Sequence, residues 1–333
     1  MKIISSIITL FLTSTFILAQ LNISDELDAR LREGIKNLVN ANYTQAYKIF
    51  DEIDKKNPGI PLGKLYLAAL EITKCEDYGI NFNVKYIESL LNGAIEQSNK
   101  ILKEKPNSID GYYYQALANG YFGYFHSIEK NYFTAFKYGL NSLNQFEDCL
   151  KRDKKIYDSY IAIGSYKYWK SRKMSWVPFV TDETAYGIDM LKKSLSSNAY
   201  NKHLALYSLI WVYIEEEKPK IAIKYAEDFL KDYPENRLVK LALARAYQDV
   251  NIDKSIELFK ELLYFYQNNE YSKNKYKEIV IMHKLAQLYQ KKGKTSEAKN
   301  LCKTILNIKL DKQTEKRLEK RIQNVKELLE ELS

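Results

Sequence analysis

"HKLAQLYQKKGKTSEAKNLCKTIL", residues His283 to Leu306, is the stretch that decides the fold. Leu285, Ala286 and Tyr289 recur at the three-to-four spacing of one helix face. Gly293 interrupts, and a second apolar face runs through Ala298, Cys302 and Ile305. The stretch predicts helix, tight turn, helix. Small side chains at Ala286 and Ala298 let the two backbones approach closely, so the larger residues beside them interlock as ridges in grooves.

The same pattern lies upstream. One copy holds Gly34, Tyr43, Ala46 and Phe50 and stops at Pro58; another holds Leu206, Leu209, Tyr213, Ala222, Phe229 and Pro234. Leu243, Ala244, Tyr247, Ser255 and Phe259 form a third, and weaker copies carry Tyr114, Leu117, Ala118 and Tyr121, then Tyr160, Ile163 and Gly164. A unit of about 34 residues with small side chains where its helices cross, an aromatic after the first and often a closing proline resembles the tetratricopeptide repeat. The resemblance implies an all-α solenoid of about six to seven antiparallel helix pairs, because a single pair cannot cover its own apolar face and must stack on the next. The pairs divide into an N-terminal set at 24–153 and a C-terminal set at 154–310. Residues 311–333, with Leu318, Ile322, Val325 and Leu329 on one side, read as a charged capping helix; a coiled-coil partner helix is the rival reading. The 28 tyrosines fall largely on these helices, where the expectation is a core ring with its hydroxyl at the rim.

Residues 1–19, with Lys2 and then an apolar run to Ala19, have the parts of a secretory signal cut before Gln20. An uncleaved anchor is the alternative. The sequence thus points to an exported chain, periplasmic or extracellular. Its net charge is +9, but lysines and glutamates intermingle, as on solvated helix faces. Nucleic acid needs a concentrated basic stripe, so no nucleic-acid partner is expected. Three distant cysteines, Cys75, Cys149 and Cys302, do not make a disulfide framework; at most one pair forms.

Signs of chemistry are few. Gly293-Lys294-Thr295 ends like a phosphate loop, but Leu288 stands where the motif needs glycine. The histidines, His126, His203 and His283, share no metal-ligand spacing, so neither metal nor cofactor is expected. A non-catalytic scaffold is therefore the leading reading. The rivals are an exported helical enzyme acting on glycan or peptide, and an envelope assembly factor anchored by its N-terminus. A buried, charge-paired carboxylate cluster in the groove would favour the enzyme.

In tetratricopeptide arrays the first helix of each pair lines a concave groove that takes a peptide or a segment of another protein. Carried over by position, the resemblance places Gln115, Asn119, Phe122, Tyr168, Tyr207, Trp211, Arg245, Gln248, His283, Gln287 and Gln290 in that groove. Tyr207 and Trp211 packing against a neighbouring pair is the equal alternative.

One connector is unusual. "WKSRKMSWVPFVTDETAYG", residues Trp169 to Gly187, puts an inserted loop at 171–181 between a helix ending near Lys170 and one starting at Asp182. Trp176 and Phe179 either contact a partner or plug a gap left by Gly164 and Gly187; the plug is the favoured expectation. Arginine and lysine beside tryptophan also suit a membrane interface, a contact left open but not favoured. Over this short segment the chain is similar to a tetratricopeptide family of the mitochondrial outer membrane and inclusion clearance. In that family a proline-containing apolar loop precedes a helix patterned like Asp182, Gly187 and Leu191.

Overall fold

The computed structural model describes residues 21–179, 181–195 and 199–333, so the reading of residues 1–19 lies outside the described residues. In chain order the helices are α1 (Asp25–Val39), α2 (Tyr43–Lys56), α3 (Leu62–Tyr78), α4 (Val84–Glu104), α5 (Ile109–Ile128), α6 (Tyr132–Arg152), α7 (Tyr157–Lys173) and α8 (Thr184–Lys193). They continue as α9 (Lys202–Glu215), α10 (Pro219–Asp232), α11 (Arg237–Tyr247), α12 (Ile252–Asn268), α13 (Tyr276–Lys291), α14 (Thr295–Leu306) and α15 (Lys312–Glu331). No strand occurs among the described residues. The chain is an all-α array of seven helix pairs, α1/α2 through α13/α14, closed by α15.

Local chemistry explains the boundaries. Ser24, Asn83, Ser108, Asn131, Asn236, Asn251 and Asp311 each accept a backbone N–H of the helix they precede, satisfying donors that a helix start leaves free. Several turns within pairs use a left-handed residue: Ala41, Gly79, Lys130, Glu217 and Gly293 all have positive φ.

The pairs lock where the sequence places its smallest residues. Ala46, Ala222, Ala286 and Ala298 are fully buried. At the crossing of α7 and α8, a Cβ added to Gly187 would meet the carbonyl oxygen of Gly164 and the amide nitrogen of Tyr168, each at 2.7 Å. Backbone cannot yield as a side chain can, so glycine is required on both sides. Leu318, Val325 and Leu328 of α15 are buried against α13 and α14, with Ile322 and Leu329 packed beside them. The cap reading holds. The three cysteines are buried and free.

First helices of successive pairs also touch one another: α3 with α5, α7 with α9, α9 with α11, and α13 with α15. They form an inner layer, and here the chain departs from an open array. Helices α1 and α3, with the residues that end them, reach across to units far along the sequence. Asn236 Nδ2 donates to the Val39 carbonyl (2.6 Å), the Glu235 amide donates to Asn40 Oδ1 (3.1 Å), and Tyr200 donates to Asp28. At the far end of α3, the Gly79 carbonyl accepts from Asn274 (2.8 Å) and from Arg317 of the cap (2.8 Å). The N-terminal units are clasped by the C-terminal ones.

Candidate binding face

Two buried carboxylates tie the clasp. Asp77, at the end of α3, accepts from Nε and Nη2 of Arg237, from the Tyr43 hydroxyl (2.8 Å) and from the Tyr266 hydroxyl (3.2 Å). Burial opposes the charge on Arg237, but the facing carboxylate outweighs it and raises the guanidinium above its ordinary value. Arg237 also lies over the ring of Phe265, 4.1 Å from its centroid. Asp158, at the start of α7, accepts from the Tyr113 hydroxyl (2.5 Å) and from the Asn201 amide and side chain (both 3.0 Å). Tyr66 of α3 reaches the same Asn201 (3.4 Å). Tyr66, Tyr113 and Tyr266 are among the largest fully buried side chains. Their hydroxyls serve buried acceptors rather than the rim, which corrects the sequence expectation. Burial pushes all three hydroxyls well above the usual tyrosine range, so they stay protonated donors.

Neither Asp77 nor Asp158 was singled out in the sequence. Asp158 is a lone acid in the largely apolar "KIYDSYIAIG", and that mismatch was its available signal; Asp77 follows Glu76 in "KCEDYG", and nothing local sets it apart. Asp77 is paired with Arg237, Asp158 is held by hydrogen bonds, and both are nearly sealed, at 1% and 2% exposure. Asp77 ties α3 to α11 and α12, and Asp158 ties α7 to α5 and to Asn201.

The predicted groove residues divide into four groups. Gln115 and Asn119 do not line the inner layer. Gln115 bonds Asn99 of α4 (2.5 Å) and Gln145 of α6 (2.8 Å), and Asn119 bonds the same Gln145 (2.9 Å). Phe122 and Tyr168 are core. Phe122 stacks on Tyr138 at 4.5 Å between centroids, and the Tyr168 hydroxyl donates to Glu216 (2.9 Å). Tyr207 and Trp211 are half-buried against the main core, and Tyr207 faces Glu76 of α3, which Tyr124 also bonds (2.5 Å). Tyr207 thus lies near Glu76, at the end of the chain's own third helix.

Of the last group, His283 is buried, Gln287 is exposed, and Arg245, Gln248 and Gln290 are partly exposed. Arg245 on α11 and Arg321 on the cap α15 lie close enough for their charges to act on Lys284 of α13, with Gln248, Gln287 and Gln290 nearby in sequence. Arg245 has Gln248 and, at 3.9 Å, Asp249. Lys284 bonds only Gln287 (3.2 Å) and Arg321 only His283 Nδ1 (3.2 Å); among the described residues neither forms an ion pair. Burial lowers the pKa of both, and for Lys284 the charges of Arg321 and Arg245 add to it. Arg321 is always a donor, so His283 Nδ1 accepts and the imidazole proton sits on Nε2. Gln290 bonds Glu331 of the cap (3.2 Å). Among the described residues, no group of three His, Cys, Asp or Glu side chains is arranged to hold a metal ion.

The connector also differs from expectation. Helix α7 runs on to Lys173 and α8 starts at Thr184, with the Thr184 amide bonded to Asp182 (2.9 Å). Gly164 and Gly187 meet each other directly, so no gap exists for the loop to fill. Trp176 is 81% exposed and Phe179 fully exposed. The plug reading is wrong.

No protein-family model matches the chain, and no curated protein matches it in sequence. It is similar to several solved helical-repeat structures. The thermophilic tetratricopeptide protein TTC0263 of Thermus thermophilus shares 16% identity, covering 67% of this chain and 99% of that one, with a TM-score of 0.42. The C-terminal part of a tetratricopeptide repeat-containing protein of Cytophaga hutchinsonii shares 18%, covering 86% and 99%, at 0.40. The human IFIT1 dimer with PPP-AAAA shares 14%, covering 87% and 74%, at 0.44. The helix-pair architecture stands on this chain's own crossings.

Proposed function

We propose that this all-α repeat scaffold is exported, is non-catalytic, and holds an extended acidic segment of another protein against α11, α13 and α15. The observation that supports the reading is the pair of half-buried cations, Lys284 and Arg321, which have lost water without gaining a carboxylate. A carboxylate from a partner would recover that loss, since charge-assisted bonds are the strong ones. Gln248 and Gln287 supply amides that pair with an extended backbone. Tyr207 and Trp211 are left out of the proposed contact because both are half-buried against the main core.

Fluorescence anisotropy with a labelled oligoglutamate peptide tests this. Binding that weakens with salt and falls at least tenfold in the Lys284→Glu, Arg321→Glu double variant is expected, as for loss of one or more charged hydrogen bonds. Equal affinity for an oligolysine peptide, or tighter binding of a single-stranded RNA than of the acidic peptide, would sink it. Export is tested separately, by mass spectrometry of the N-terminus; a mature chain beginning at Gln20 is expected.

A further inference from the structure

The strongest unabsorbed feature is aromatic. On the first turns of α6, Tyr132, Phe133 and Phe136 are 68%, 84% and 61% exposed. In the connector after α7, Trp176 (81%) and Phe179 are exposed as well. Phe179 also holds a left-handed backbone (φ 67°), a conformation a bulky side chain adopts only at a cost. Consecutive helices α6 and α7 pack antiparallel, with Leu143 and Leu150 of one against Tyr160 and Ile163 of the other. The start of α6 and the end of α7 therefore lie at the same end of the array, and the two aromatic groups share it.

Singly exposed apolar residues are ordinary, but five large aromatics at one end are not. Their surroundings carry charge. Lys130, Lys137 and Lys173 flank them and form no ion pair among the described residues, whereas Lys167 is neutralised by Glu183 (2.8 Å). Aromatic rings beside free lysines are the composition that settles at the boundary of a lipid bilayer, rings at headgroup depth and ammonium groups on anionic lipid. A second copy of the chain is a poor occupant. It would bring the same three lysines face to face, and each copy carries a net charge of +9. Among the described residues no helix is long and apolar enough to cross a membrane, so the contact is peripheral.

We infer that this end of the array, formed by the start of α6 and the 174–179 connector, docks on an anionic membrane surface. It is separate from the proposed peptide face on α11, α13 and α15, and either reading stands without the other. Co-sedimentation with vesicles of phosphatidylcholine, with and without phosphatidylglycerol, tests it. The protein is the chain from Gln20 onward, which carries every described helix and lacks the apolar leader. Binding to the phosphatidylglycerol vesicles, much weaker on pure phosphatidylcholine, is expected. Replacing Phe133, Phe136, Trp176 and Phe179 by serine should cut partitioning at least roughly tenfold, as should Lys130, Lys137 and Lys173 to glutamate. All seven side chains are at the surface or in the connector, so helicity by circular dichroism should not change. Absence of vesicle binding, or serine variants that bind equally well, would overturn the inference. So would a dimer in light scattering that the serine substitutions dissolve, because the patch would then belong to a second copy.

Discussion

His283 shows what a single side chain reports. It is 2% exposed, and burial, with the neighbouring charges of Arg321 and Lys284, lowers its pKa from 6.5 to about 4. In the unfolded chain the imidazole takes up its proton near pH 6.5, while in the folded chain it resists until about pH 4. The unfolded state therefore binds more protons across that window, and stability falls as pH drops through it. The cost between pH 7 and pH 5 is about 2 kcal/mol for this group. Urea denaturation at both pH values checks it: His283→Gln should lose less stability on acidification than the parent. An equal loss in both would show that His283 charges freely in the fold. The sequence placed this histidine among the groove residues, whereas the fold buries it. It could not show that Arg321, on a helix the reading treated only as a cap, would fix its tautomer.

At the scale of an element, the crossings were readable and the connector was not. Tiny residues at a fixed place in each unit announce where two helices meet, and Ala46, Ala222 and Ala298 are all sealed there. Replacing Ala298 by leucine should overpack α13 against α14 and cost about 1–3 kcal/mol, measured by thermal or urea denaturation. Unchanged stability would mean that the crossing lies elsewhere. Gly164 and Gly187 were recognised as small in the same way. Whether a small residue admits another backbone or leaves a hole depends on the helix opposite, and that is not written in the local pattern. Hence Trp176 and Phe179 were expected inside and stand outside. Position in a repeat likewise did not show that Gln115 and Asn119 bond Gln145 of the next helix or that Phe122 and Tyr168 are buried.

For the whole molecule, the repeat period relates each residue to neighbours one unit away and carries nothing about partners four to six units away. Asp77 and Arg237 are separated by 160 positions, and Gly79 and Arg317 by 238. Open arrays are stabilised by nearest-neighbour contacts and fray from their ends. Here the clasp couples distant units, so breaking it should be felt at both. Asp77→Asn leaves Arg237 buried without its counter-charge and should cost about 3–5 kcal/mol, whereas Asp77→Leu with Arg237→Met should cost much less. Hydrogen exchange gives the scale-specific readout. In Asp77→Asn, amides of α1 and α11 should lose protection together. Faster exchange confined to α3 would mean the distant units are independent.

The bond from Arg317 to the Gly79 carbonyl has an evolutionary corollary. Open solenoids gain and lose modules by duplication, because each added unit repeats an interface that already exists. In this chain an inserted or deleted module between α4 and α11 would carry Arg237 away from Asp77 and α15 away from the second pair. The number of modules is thereby held fixed, and descendants should vary at the connectors while keeping the tally of helices between these two acid–base and carbonyl contacts constant.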